Sequence, residues 1–174
     1  MWPGRRRALP PELRPPLAGG ERVVAWAPVP PDGAVVATDL GLFLPGRPER
    51  LGWHEIHKAT WDGRRLVVTP GRVVRTRPGY AVTVDAPAVT VPLPDPRDVP
   101  YAVRTRVTRS VSVTTHRRVP GGGVRVVARR VPGVDGLSWA VRYDEGTDPD
   151  APGVTDATNR IVADLAASLH DPTL

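Results

Sequence analysis

Between Glu21 and Thr69 the apolar residues come in short Val- and Leu-rich runs. Each run is closed by a turn-forming cluster such as Pro31-Asp32-Gly33, Pro45-Gly46-Arg47-Pro48 or Asp62-Gly63. This punctuation predicts strands over 22–29, 33–39, 41–45, 49–54, 56–61, 64–69, 72–77, 80–84 and 88–92. Asp62-Gly63, set between two β-rich runs, is the strongest hairpin signal of the chain, and Gly41 after Thr38-Asp39-Leu40 suits a tight turn. Near Asp95 the pattern changes. Asp98 is placed to cap a helix that tolerates Pro100 in its first turn, and Val99, Ala102, Val103 and Val107 share one face over 99–108, although the density of Val and Thr weighs against a helix there. Strands over 110–119, 123–131 and 137–144 follow, separated by Pro-Gly-Gly-Gly and Pro-Gly-Val-Asp-Gly, and read as an antiparallel meander. Val154, Thr158, Ile161, Val162, Leu165 and Leu169 recur at three- and four-residue spacing and predict a helix over 154–169, stopped by Asp171-Pro172.

The fold class expected from this order is α+β and mainly antiparallel. A partly closed barrel with one short helix is expected over about 21–109, and a three-stranded meander with a C-terminal helix over about 110–170. The two together form a single domain over 21–174, behind an extended Pro/Arg-rich arm at 1–20.

Composition narrows the chemistry. The chain of 174 residues has no cysteine, which removes disulfides, thiolate metal sites and a cysteine nucleophile. All but one of its 24 basic residues are arginine, the exception being Lys58. Arg, Ala, Gly, Pro and Val share G- or C-rich codons, so the net charge of +6 is weaker evidence for a nucleic-acid partner than it looks. Charge is unevenly spread: ten arginines stand between Arg97 and Arg142, whereas seven acids stand from Tyr143 onward. The acidic segment is expected to pack beside the basic strands and offset their field. No apolar run suits a signal peptide or a membrane span, so a cytoplasmic location is expected.

The motifs that invite chemistry each have a plainer reading. His54-Glu55-Ile56-His57 is one residue short of the helical zinc-protease spacing, and in a strand residues three apart face opposite ways; Trp53 and Ile56 are expected to pack inward. Asp39 and Asp62 stand where turns are expected, and such residues bond nearby backbone. Ser110, Ser112, Ser138 and Ser168 lack a nucleophile-elbow setting, and Gly121-Gly122-Gly123 precedes a strand and reads as a hairpin loop. Trp26, Trp53, Trp61 and Trp139 are expected to anchor the core. No catalytic residue, metal ligand or cofactor is assigned. The arginines remain. Arg125 and Arg129 alternate with valines on one strand, Arg117 and Arg142 on its neighbours extend the same face, and Arg5, Arg6 and Arg7 stand on the arm. Such a face can bind the phosphates of nucleic acid or an anionic surface.

The run ERVVAWAPV…VVATDLGLFLPG…LGWHEIHKATWDGRRLVVT resembles a family of short, uncharacterised proteins from high-GC actinobacteria. Trp26, Thr38-Asp39, Leu42, Trp53, His54, Ile56 and Ala59-Thr60-Trp61-Asp62-Gly63 carry that likeness, and VRTRVTRSV…GGGVRVVARRVPG…GLSWAVRYDEGTDP resembles its second half. The resemblance covers everything but the arm and implies no activity. More distantly, the order strand, Thr38-Asp39, strand, Trp53-x-x-Ile56 is similar to bacterial pleckstrin-homology-like domains, small antiparallel barrels closed by a helix. After Thr69 the sequence departs from that pattern. The function expected is a non-enzymatic cytoplasmic binding or adaptor domain working through protein–protein contacts at an edge strand. Nucleic-acid or anionic-surface binding through the Arg face and arm is the alternative.

Overall fold

Branched side chains such as valine fit the pleated, half-buried surface of a strand. In the computed structural model, which describes residues 7–170, the valine-rich runs form eleven strands beside two α-helices. The chain is α+β and mostly antiparallel, with a four-stranded sheet and a sheet curled into a half-barrel. The described residues gather into two compact units. One holds the chain up to Pro70 together with Pro87–Thr108; the other holds Gly71–Ala86 together with Arg109 onward.

In the first unit, β1 (Val23–Val29), β2 (Gly33–Thr38), β3 (Gly41–Phe43) and β4 (Leu51–Gly52) form an antiparallel sheet in that order. The strand expected over 49–54 is cut to two residues because a 3-10 turn, Trp53–Glu55, follows at once. A Cβ on Gly41 would lie 2.2 Å from the carbonyl oxygen of Leu51, so β3 and β4 close on each other only over a glycine. Next, β5 (Ile56–Trp61) turns at Asp62-Gly63 into β6 (Arg65–Arg77). The runs expected at 64–69 and 72–77 are this one strand, which continues through Pro70-Gly71 from the first unit into the second. After β7 (Tyr80–Asp85), β8 (Val89–Pro92) returns to pair with the first half of β6. The helix α1 (Val99–Ser110) buries Val99 and Val103 in a core with Leu42, Trp53, Ile56 and Leu66.

In the second unit, the far half of β6 pairs with β7, and β9 (Val111–Val119), β10 (Gly122–Arg130) and β11 (Leu137–Tyr143) form the expected meander. β7 joins it by parallel pairing with β11. The helix α2 (Val154–Ser168) buries Thr158, and it buries Val154 and Val162 in one cluster with Tyr80, Val82, Val124, Val126 and Val141. A polar chain pins this helix to the strands. Arg77 donates to the hydroxyls of Tyr80 and Tyr143 at 3.2 Å each, Tyr80 donates to Asn159 Oδ1 at 2.6 Å, and the hydroxyls of Tyr143 and Thr158 are 2.8 Å apart. The expected stop at Asp171-Pro172 lies outside the described residues.

Gly122 and Gly123 belong to β10 and not to a loop. Their role is close approach. A Cβ on Gly122 would meet Thr147 Oγ1 at 1.9 Å, and one on Gly123 would meet Asp144 Oδ2 at 2.2 Å, so the segment after β11 folds directly over the strand.

Candidate functional site

The strand β1 ends its sheet and pairs only with β2, so its other edge carries backbone donors and acceptors with no strand partner. Against that edge lies a cleft of about 650 Å³, bordered in unbroken succession by Arg22, Val23, Val24, Ala25 and Trp26. Successive strand residues point to opposite faces. A run of four strand residues, Val23 to Trp26, bordering one cleft therefore means that the cleft follows the strand's open edge. The pairing slips between Val23 and Ala25, a bulge that leaves Val24, one of the bordering residues, outside the register.

The N-terminal arm supplies a second wall through Arg7, Leu9 and Arg14. Trp26 Nε1 holds it by donating to the carbonyl of Arg7 at 2.7 Å. At the arm's far end Glu21 is buried, its side chain wholly out of water. A buried carboxylate persists only when fully paired, and Glu21 is. Its Oε1 accepts from the Thr38 hydroxyl at 2.5 Å, and its Oε2 accepts from the Ala18 amide at 2.8 Å and from Arg50 Nη1 at 2.7 Å. Thr38 in turn accepts from the amides of Leu40 and Gly41 and forms the corner between β2 and β3. The start of β1 is thus fixed from beneath.

Arg97 and Asp98, just before α1, close the third side. The Arg97 guanidinium lies over the Trp26 ring with its central carbon 4.1 Å from the centroid, and its Nε donates to Asp95 at 3.0 Å. Its backbone has φ +50, the only positive φ outside glycine among the described residues. That conformation costs on the order of 1 kcal/mol, and such strain clusters where function demands a fixed geometry. Trp26 is consequently not a core anchor, unlike Trp53: it forms the floor of the cleft beneath an arginine. The period of two carries the signal that could have found this, since its neighbours Ala25 and Ala27 are the residues that turn to the core. Four arginines border the cleft against Glu21 and Asp98, and the charge of Glu21 is already matched by Arg50.

The arginines singled out from the sequence do not form one set. Arg125 faces Arg142 across β10 and β11 and faces His116 across β10 and β9, so these three share a sheet face. Arg142 is tied to Asp85 at 2.7 Å, while Arg125 is exposed. Arg117 is opposite Val124 and so lies on the other face, because the register runs one residue away from that expected. Arg129 is buried, donates to the Ser110 hydroxyl at 2.9 Å, and has its pKa pushed down by that burial. Arg7 stands at the cleft of the first unit; Arg5 and Arg6 lie outside the described residues. From the acidic segment, Asp144 pairs with His116 at 2.7 Å and Asp150 pairs with Arg75.

The remaining candidates have local partners. Glu55 accepts from the Gly52 amide at 2.7 Å, and Trp53 and Ile56 beside it are core residues. The Asp62 carboxylate is held below its ordinary pKa by the amides of Arg65 and Arg64, and Asp39 is held below by the amide of Arg22. Among the described residues no group of three or more His, Asp or Glu side chains is arranged to hold a metal ion, and no helix is long and apolar enough to cross a membrane. Comparison with models of known families, with curated proteins and with solved structures gave no match.

Proposed function

We propose that the chain is a non-enzymatic cytoplasmic binding module of the adaptor kind, which takes up an extended, acidic segment of another protein along the open edge of β1. The observation that carries this reading is the cleft itself: four consecutive residues of an edge strand, Val23 to Trp26, border it, and arginines stand around it. An added strand gains affinity from main-chain hydrogen bonds, and the walls set which side chains fit. Complementary charge favours an acidic segment and steers its approach. The test is a titration of the isotope-labelled protein with acidic extended peptides, read by amide NMR. Shifts confined to Val23–Trp26 and the arm are expected; no shifts, or shifts confined to the second unit, would refute the proposal.

A second reading is nucleic-acid or anionic-surface binding through the sheet face of the second unit. Arg125 beside Arg142 favours it. Its base is narrow, since Arg142 is occupied by Asp85 and Arg129 is buried. This reading requires binding that weakens steeply with added salt and that is lost in Arg125→Gln.

A further inference from the structure

We infer that Arg97 is the specificity-determining residue of the β1 cleft, and that it reads one oxyanion-bearing side chain of the docked segment. This rests on the peptide-binding reading above and sharpens it to a single position. Two contacts of its own hold the guanidinium in place. Its central carbon lies over the Trp26 ring, 4.1 Å from the centroid, and its Nε is committed to Asp95 at 3.0 Å, on a backbone held at φ +50. With Nε occupied, the edge formed by the two terminal nitrogens is the part of the fork left to a ligand. That edge matches the two oxygens of a carboxylate or of a phosphoryl group. A side chain already immobilised loses little freedom on binding, so its contribution to affinity is not consumed in ordering it.

The other charged groups of the cleft do not provide such a fork. Arg22 is engaged with Asp39 and is largely exposed. Arg7 and Arg14 are exposed on the arm, where they raise the local potential without a fixed orientation. Glu21 is buried and matched by Arg50. Asp98 stands next to Arg97 as the one exposed acid of the lining and disfavours a second anion at its own side of the cleft. One acidic side chain is therefore read at one position.

The decisive experiment is a two-way comparison by fluorescence anisotropy. Peptides that perturb Val23–Trp26 in the NMR titration are resynthesised with each acidic residue changed to Gln, and separately to phosphoserine. All are measured against the wild-type protein, Arg97→Lys and Arg97→Gln. At one peptide position, Glu-to-Gln is expected to weaken wild-type binding roughly tenfold or more. Arg97→Gln is expected to bind the Glu and Gln peptides alike, and Arg97→Lys to recover only part of the preference because it lacks the fork. The phosphoserine arm separates the two oxyanions: tighter binding than Glu assigns a phosphoryl group, and weaker binding assigns a carboxylate. Peptides that dock on β1 with the same Glu preference in Arg97→Gln as in wild type overturn the inference and leave the binding reading standing. If no peptide reaches β1, both fall. An unchanged thermal midpoint of Arg97→Lys shows that loss of preference is not loss of fold.

Discussion

Removing the buried carboxylate at the base of the arm should cost the first unit a definite amount of stability, and the size of the loss depends on what replaces it. In Glu21→Ala three hydrogen bonds vanish together, from Thr38, Ala18 and Arg50. Two of those partners recover: Ala18 is exposed, and the Arg50 side chain, 32% exposed, can turn to water. Thr38 has no access to solvent, but its hydroxyl can swing to the Gly41 carbonyl at 3.2 Å. What remains is the loss of charge-assisted bonds plus a void the size of the missing side chain, together about 2–4 kcal/mol. For a chain of this length that is a fall in Tm of roughly 5–15 °C. Glu21→Gln tests the reasoning more sharply. With its oxygen toward Ala18 and Arg50 two of the bonds are kept, but its amide nitrogen then faces Thr38 Oγ1, which already accepts from Leu40 and Gly41, so one bond and the charge are lost, at about 1–2 kcal/mol. Denaturant unfolding followed by tryptophan fluorescence, with hydrogen exchange at the Ala18 amide, measures both. Equal losses for the two variants, or a loss below about 1 kcal/mol for Glu21→Ala, would show that Glu21 does not anchor the arm.

Gly123→Ala places a methyl group on Asp144 and His116, so it should break their contact and lower stability by about 1–3 kcal/mol; an unperturbed His116 ring resonance would contradict this. Tyr80→Phe removes the hydrogen bond to Asn159 and one acceptor of Arg77, so a loss of about 1 kcal/mol is expected by calorimetry, with faster exchange at the start of α2. Asp39, Asp62 and Asp150 all titrate below their ordinary 3.8 in the fold, Asp150 chiefly through its bond to Arg75. Carboxylates with depressed folded pKa values contribute stability that is complete above about pH 5 and is lost as pH falls through those values. Asp39→Asn should therefore flatten the acid limb of the stability–pH curve, and an unaltered limb would refute its part in it.

The strands and helices were legible because their signals are local. The alternation in β2, the turn at Asp62-Gly63 and the three-and-four spacing of α2 each lie within a few residues of one another. What escaped the sequence depends on partners far along the chain. Parallel pairing of β7 with β11 sends 71–86 into the second unit, and no turn or spacing marks it. The same holds at the cleft. Trp26 reads as a core residue by size, and only the arrival of Arg97 and the Arg7 carbonyl makes it a floor. The Arg117 error was one of register, where a shift of one residue reverses every side chain. The glycines of β10 looked like a loop because the segment that needs them absent of side chains, 144–147, approaches from elsewhere.

Because each unit takes its residues from two separate stretches of chain, the order of synthesis constrains how the protein is made. When Pro70 leaves the ribosome the first unit still lacks β8 and α1, and the β6–β7 hairpin emerges before either unit has its full set of residues. That hairpin must then wait for β11 with an open strand edge, a state prone to mispairing and in need of protection. The same threading means that a cut after Thr108 leaves the whole first unit still carrying 71–86, and a cut after Pro70 leaves the whole second unit still carrying 87–108. Any continuous stretch of gene that encodes one half therefore also encodes a piece of the other, and neither can be inherited or exchanged cleanly by itself.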